Sequence, residues 1–136
     1  MKYFLAKSDP ETYGLADLER DKKTVWDGVK NPQALRAIKE MSPGDKVFVY
    51  HSGGDAAVVG LARVASPPRP DPGDPKLTVV EFEFLGRLDP PATLAEIKQS
   101  KRFEDWALVR QGRLSTMTAP EKFVDWMRSR YPKAGI

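Results

Sequence analysis

A chain of 136 residues, 40% hydrophobic and 30% charged, has the length and composition of one soluble globular domain with its own core. Zero cysteines exclude disulfides and thiolate metal sites, and a single histidine, His51, excludes a His-rich zinc site and a Cys–His nucleophile pair. The formal charge of +3, from 22 basic against 19 acidic residues, is a mild bias toward anionic partners, weaker than a protein held on nucleic acid by charge alone would carry. The early apolar run Tyr3 to Ala6 is too short for a signal peptide or a membrane span. The expectation is a cytoplasmic monomer, a single domain over residues 1–136, with no membrane partner and no cofactor.

In chain order, Lys2 to Lys7 reads as a central strand, apolar on both faces, stopped by Ser8-Asp9-Pro10. Gly14 to Arg20 predicts a short helix with Leu15 and Leu18 inward. Asp21-Lys22-Lys23 is a polar loop leading to Val25-Trp26. Asn31 is a good N-cap and Pro32 suits the first helical position. Ala34, Leu35, Ile38 and Met41 then recur at helical spacing, so a helix runs from Pro32 to Met41. Trp26 and Asp27 therefore fall in a loop just ahead of a helix N-terminus, where free N–H groups and the dipole favour an electron-rich ligand. An indole, a carboxylate and an amide together can grip a planar heterocycle.

Ser42-Pro43-Gly44-Asp45 is a turn signal, and Lys46 to His51 follows as a strand rich in β-formers. Ser52-Gly53-Gly54-Asp55 reads as a hairpin turn; no Gly-Lys-Ser/Thr follows, which argues against a phosphate loop. Ala57 to Ala65 is the return strand, with Gly60 marking a bulge or a close backbone approach. The proline-rich stretch Ser66 to Pro75 is expected to be a long hairpin loop. Lys76 to Leu88 is a strand with Val80, Phe82 and Phe84 on one face and Glu81 and Glu83 on the other.

Thr93-Leu94-Ala95-Glu96 has capping-box spacing and starts a short helix through Lys98. Phe103 and Trp106 suggest one packed turn, and Arg110 to Ser115 alternates toward an irregular strand. Thr118-Ala119-Pro120-Glu121 is a second capping-box match, opening a helix with Phe123, Val124 and Met127 inward. Pro132 to Ile136 is expected to fray. The sum is α+β: a small mixed β-barrel of five to six strands flanked by three to four short helices.

The chain resembles the EVE domain, a member of the PUA-like fold group related to YTH domains. The likeness is carried by Tyr3 to Ser8 with Asp9-Pro10, and by Trp26-Asp27-Gly28-Val29-Lys30-Asn31 with Gln33-Ala34. It continues through Gly44 to Ser52, Val59 to Ala62, the acidic-proline hairpin Pro70 to Pro75, and Leu108 to Ser115. These stretches follow in order along nearly the whole chain. The resemblance implies a PUA-like barrel whose pocket accepts a chemically modified base. EVE domains are regarded as readers of modified cytosine in DNA, and YTH relatives bind a methylated adenine in RNA.

Carried over by position, Trp26 would be a cage wall, Lys7 and Ser8 the floor, and Asp27 and Asn31 contacts to the base edge. His51 and Ser52 would stand opposite. Lys30, Arg36, Arg110 and Arg113 would touch the nucleic-acid backbone, with Gln111 at the mouth. Such a pocket works by stacking and by hydrogen bonds to the base edge, and an acidic side chain accepts from cytosine N4.

Each residue also has a structural role open to it. Trp26 can be packing, Asp27 a turn residue, Asn31 an N-cap, His51 a satisfied strand-end histidine, and Ser52 part of a hairpin. Arg110 and Arg113 can pair with Glu81 and Glu83. Phe103, Trp106 and Trp126 read as core. A binding module without chemistry fits best. The alternatives are a PUA-like hydrolase, using Asp27, Lys7 and His51 as an acid–base set, or a small-molecule module with the same pocket.

Overall fold

The computed structural model describes residues 1–54 and 56–136. Its sheet is built around β1 (Tyr3–Ser8), which pairs in parallel with β3 (Lys46–His51) and antiparallel with β7 (Thr116–Thr118). Phe4, Leu5 and Ala6 are buried, as an apolar strand with neighbours on both sides requires. On the other side of β3 comes β4 (Ala57–Val64), and then β6 (Asp74–Thr93), a run of 20 residues. The start of β6 pairs with β5 (Arg69–Asp71), its middle with β2 (Lys23–Trp26), and its later part with β4. The proline-rich stretch is thus a hairpin, as its composition suggests, with a short strand of its own. The hairpin turn predicted after β3 includes Asp55, which lies outside the described residues.

The sheet order is β2-β6-β4-β3-β1-β7, with β5 attached to β6. The two end strands, β2 and β7, do not pair with each other, so the sheet stays open where the sequence predicts a closed barrel. Among the described residues it holds seven strands rather than five or six, because the short segments ending at Trp26 and starting at Arg69 both join it. The helical segments are α1 (Pro10–Tyr13), α2 (Leu15–Asp21), α3 (Pro32–Lys39), α4 (Leu94–Gln99), α5 (Ala107–Arg110) and α6 (Glu121–Arg130), of which α3 touches both β6 and β7. The six helical segments among the described residues exceed the predicted three to four, because α1 and α5 are single turns of four residues.

Most local signals act as their chemistry dictates. Asn31 Oδ1 accepts from the N–H groups of Gln33 and Ala34, and Pro32 opens α3. Thr93 and Glu96 cap each other at the start of α4. Gly60 stands where β4 shifts register, and an added Cβ there would come within 2.5 Å of Leu15 Cδ1. Its expected close approach is therefore to α2, whose Leu15 and Leu18 are buried.

Three expectations fail for identifiable reasons. The second capping box does not form, because Thr118 belongs to β7 opposite Phe4 and α6 is capped by Pro120 with no side-chain hydrogen bond. The strand of the last third is Thr116–Thr118, whereas 110–115 is helix end and turn. The C-terminus is tied down rather than frayed: Arg128 Nε donates to the Ile136 carbonyl at 3.1 Å, and the Ala134 N–H to the Tyr131 carbonyl at 3.1 Å.

Candidate functional site

The gap in the sheet contains a cleft of about 590 Å³, within the usual size range for a small-ligand site. One wall is the end of β1 with Lys7 and Ser8. The opposite wall is β2 and the turn after it, Thr24 to Lys30, while Tyr13 of α1 and Ser115 ahead of β7 complete it. Trp26 ends β2 and is not in a loop as predicted. Gly28, at φ +75, makes the turn beyond it, a conformation that glycine adopts without strain.

Trp26 is only 8% exposed. Its ring lies 4.9 Å from Phe82 and meets Tyr13 edge-on at 6.4 Å, so the indole is the cleft floor and not the free-standing wall the sequence suggests. Among the described residues no acceptor takes its indole N–H, which also does not fall among the sealed, unpartnered polar atoms. A donor without a protein acceptor is therefore left on the residue that forms the cleft floor. Tyr13 is the more accessible aromatic, and its hydroxyl donates to Asp21 at 2.9 Å.

Lys7 is half-buried. Its ammonium donates to the Gly112 carbonyl at 3.0 Å and sits 5.4 Å from the centre of the Tyr50 ring, and burial lowers its pKa below the ordinary lysine value. The Ser8 hydroxyl donates to the Tyr13 carbonyl, which ties β1 to the α1 wall. Asp27 is exposed and makes no side-chain hydrogen bond or ion pair among the described residues, so it does not act on its own turn. Its acceptors face solvent.

Five of the residues singled out in the sequence meet here: Lys7, Ser8, Trp26, Asp27 and Lys30. Asn31 stands just outside the cleft, and its side-chain oxygen is occupied by the two N–H groups of α3. The helix end therefore offers fewer free donors than its position in sequence suggests. His51 and Ser52 are not opposite Trp26. They line an adjoining hollow with Asp9 and Glu11, where His51 Nε2 accepts from the Leu15 N–H at 3.0 Å. Burial, and secondarily the Arg87 charge, hold the His51 pKa below the usual imidazole range.

The arginines disperse. Arg36 faces a groove on the far side of α3, and Arg110 meets Asp105 at 3.4 Å. Arg113 is exposed on the turn before β7. Glu81 pairs with Arg69 at 3.0 Å and Glu83 with Arg63, so neither carboxylate is engaged by Arg110 or Arg113. Tyr13, Thr24, Val25 and Ser115 line the cleft without having been foreseen. For Tyr13 a signal existed: Asp9-Pro10 is a helix start like Asn31-Pro32, and Asp9 does accept from the Glu11 N–H at 2.9 Å.

An open mixed sheet with an aromatic-floored cleft between its unpaired ends, and with no cluster of potential metal ligands among the described residues, defines an α+β domain whose site is equipped for binding. The chain belongs to the EVE domain family, whose model matches residues 2–130. A Rhodopseudomonas palustris protein solved by NMR superposes with a TM-score of 0.90 at 29% identity, over 96% of this chain and 92% of that one. A Pseudomonas syringae protein gives 0.87 at 27% identity, over 94% and 99%. Human THYN1 protein, solved in complex with 5-methylcytosine-containing DNA, gives 0.86 at 23% identity, over 95% and 96%, a likeness of fold. In sequence, human thymocyte nuclear protein 1 is 30% identical over a 124-residue alignment, which covers 71% of this chain and 55% of that protein. The chain thus spans about half the length of the curated relatives it matches.

Proposed function

We propose that this protein binds nucleic acid carrying a modified base, without chemistry of its own, and that the base enters the Trp26 cleft. One observation carries the reading: an unpartnered indole N–H, an unpaired carboxylate and an accessible tyrosine face one cleft about the size of a nucleotide fragment. The fold shared with a human protein solved on 5-methylcytosine-containing DNA supports it and favours modified cytosine.

In this arrangement the Asp27 carboxylate accepts from the exocyclic N4 amine of the flipped base. The Trp26 N–H donates to a ring carbonyl, and the ring packs against Tyr13. Val25 and Val29 offer apolar surface to an added methyl group. One methyl is worth only about 1–3 kcal/mol in a fitted hydrophobic pocket, so preference for the modified base is expected to be modest. Lys7 and Lys30 border the cleft and suit the adjoining phosphates.

The test is a binding panel of short DNA and RNA strands with modified and plain bases, measured by fluorescence anisotropy. Tyr13→Ala and Asp27→Ala are the variants of choice, because Trp26 is buried and its removal perturbs the core. Each is expected to weaken binding about tenfold, from the roughly 1–3 kcal/mol that a base contact contributes. Equal affinity for modified and plain strands, or variants that bind like the parent chain, would end the proposal. A flat dependence of affinity on salt would point to a small-molecule ligand, since phosphate contacts release counterions.

A further inference from the structure

A second, larger groove of about 840 Å³ lies on the other side of α3, between that helix, α5, β7 and the start of α6. Its floor is apolar, with Trp106, Leu114 and Met117, and the Trp106 N–H is already taken by the Thr118 carbonyl at 2.9 Å. Its rim is basic. Arg36 and Lys39 stand three residues apart on one face of α3, and Lys122 faces them from α6. All three are exposed, and among the described residues none is in an ion pair. Of the two carboxylates on the rim, Asp105 is paired with Arg110 and Glu40 lies at the C-terminal end of α3.

The groove and the Trp26 cleft flank the same two stretches of chain. Ser115 lines the cleft, while its neighbours Leu114 and Thr116 line the groove; Lys30 borders the cleft and Gln33, the second residue of α3, borders the groove. A chain leaving the cleft past Ser115 meets Gln33, then Arg36, then Lys39, a path of roughly 9 Å along the helix axis at 1.5 Å per residue. Three cations in no ion pair among the described residues, Lys122 with its ammonium 6.0 Å from the centre of the Phe103 ring, stand above an apolar, aromatic floor. Such a surface suits a single nucleic-acid strand, whose phosphates seek charge and whose bases seek flat apolar surface.

We infer that this groove holds the nucleotides flanking the base in the Trp26 cleft, with Arg36, Lys39 and Lys122 on their phosphates. The inference rests on the nucleic-acid reading above and adds to it the direction of the strand across the surface. It also separates two tasks that one cleft cannot perform together. The cleft distinguishes bases, while the groove supplies length- and salt-dependent affinity.

The experiment uses the full chain with fluorescent single-stranded oligodeoxynucleotides of three and nine residues, each with a central 5-methylcytosine or cytosine, titrated at several salt concentrations. The nine-residue strand is expected to bind tighter and with a steeper salt slope. A triple variant, Arg36→Gln, Lys39→Gln and Lys122→Gln, should lower that slope by about 2, at roughly 0.7 per phosphate contact on a single strand. It should also lose the gain from length while keeping the ratio between methylated and plain strands. A charge-matched control, Lys76→Gln, Lys98→Gln and Lys101→Gln, should keep the parental slope, and thermal melts confirm that both variants are folded. A triple variant whose slope falls no further than the control overturns the inference. A parent chain that shows the slope change without any preference for 5-methylcytosine overturns the base reading instead and leaves the groove as a strand-binding surface.

Discussion

Trp26 and Trp106 are equally buried, each 8% exposed, yet they do different work. Trp106 sits within a cluster of rings, 4.4 Å from Phe123 and 6.2 Å from Phe103, and its N–H is spent on the Thr118 carbonyl. That bond fixes β7 against the turn before α5, so its polar tip serves the fold. Trp26 packs on Phe82 and Tyr13, and its N–H finds no acceptor among the described residues. Burial alone does not distinguish a tryptophan whose polar tip serves the fold from one whose tip is left for a ligand. The fate of the polar tip does, because a buried indole N–H normally finds a partner.

The strongest way to break this comparison is Trp106→Ala, which removes the ring at the centre of the C-terminal cluster. A loss of about 3–5 kcal/mol is expected in denaturant unfolding, the usual range for emptying an aromatic core site. Next in size is Gly60→Ala. Its new Cβ would meet Leu15 at 2.5 Å and the Gly86 carbonyl at 3.0 Å, with Leu15 itself buried. Overpacking of that kind costs about 1–3 kcal/mol. Because Leu15 begins α2, directly after the Tyr13 turn, base binding should weaken along with stability; an unchanged melting curve would show that Leu15 simply turns aside.

The comparison is sharpened by making the same small change at both positions. Trp106→Phe keeps most of the ring but leaves the Thr118 carbonyl without its donor, a loss of about 1–3 kcal/mol of stability. Trp26→Phe orphans nothing, so its stability loss should be the smaller of the two. Its binding loss should be the larger, since the donor at the cleft floor is gone. If the two substitutions give the same pair of effects, the indole N–H has no role in binding.

Much of the fold was legible in the sequence, because local chemistry and tertiary demand agree there. Lys46 to His51 is a strand with the predicted limits, being apolar on both faces and flanked by turn residues. Asn31-Pro32 starts a helix where no strand claims its residues. Thr93-Glu96 does so although Thr93 also ends β6 opposite Ala57, because the last residue of a strand can still cap a helix that follows it directly. Thr118-Glu121 carries the same spacing and fails because the chain stays extended past Thr118. Thr118 pairs with Phe4, 114 positions away, while the Ala119 N–H donates to the Tyr3 carbonyl, so α6 starts only at Glu121, and no local window reveals that. The open sheet was hidden for a similar reason: closure depends on whether β2 and β7 meet, and both are too short to announce themselves.

The site divides along the same line. Residues next to one another in sequence, Lys7 with Ser8 and Trp26 with Asp27 and Lys30, stayed together in the cleft. Residues assigned across the fold, such as His51, Ser52 and Arg36, were sent to neighbouring hollows by the path of the backbone.

His51 gives the smallest effect and the cleanest contrast with the cleft. Its Nε2 accepts from the Leu15 N–H and so holds the junction of α1 and α2 that carries Tyr13, with Arg87, Asp9 and Glu11 as the nearby charged groups. An acceptor nitrogen must be unprotonated, and the folded pKa is depressed from 6.5 by burial first and by Arg87 second. Above that value both states are neutral at His51 and the contribution is fully present. As pH falls below it, the unfolded chain takes up the proton first, so stability drops until the folded pKa is passed. His51→Gln can keep an acceptor without a titration. The stability difference between parent and variant should therefore be constant well above pH 6.5 and shift against the parent as pH falls through about 6.5, ahead of most carboxylates. Parallel curves through that window would mean that His51 binds its proton equally well in the folded and unfolded chain, so that its bond to the Leu15 N–H does not hold the imidazole neutral.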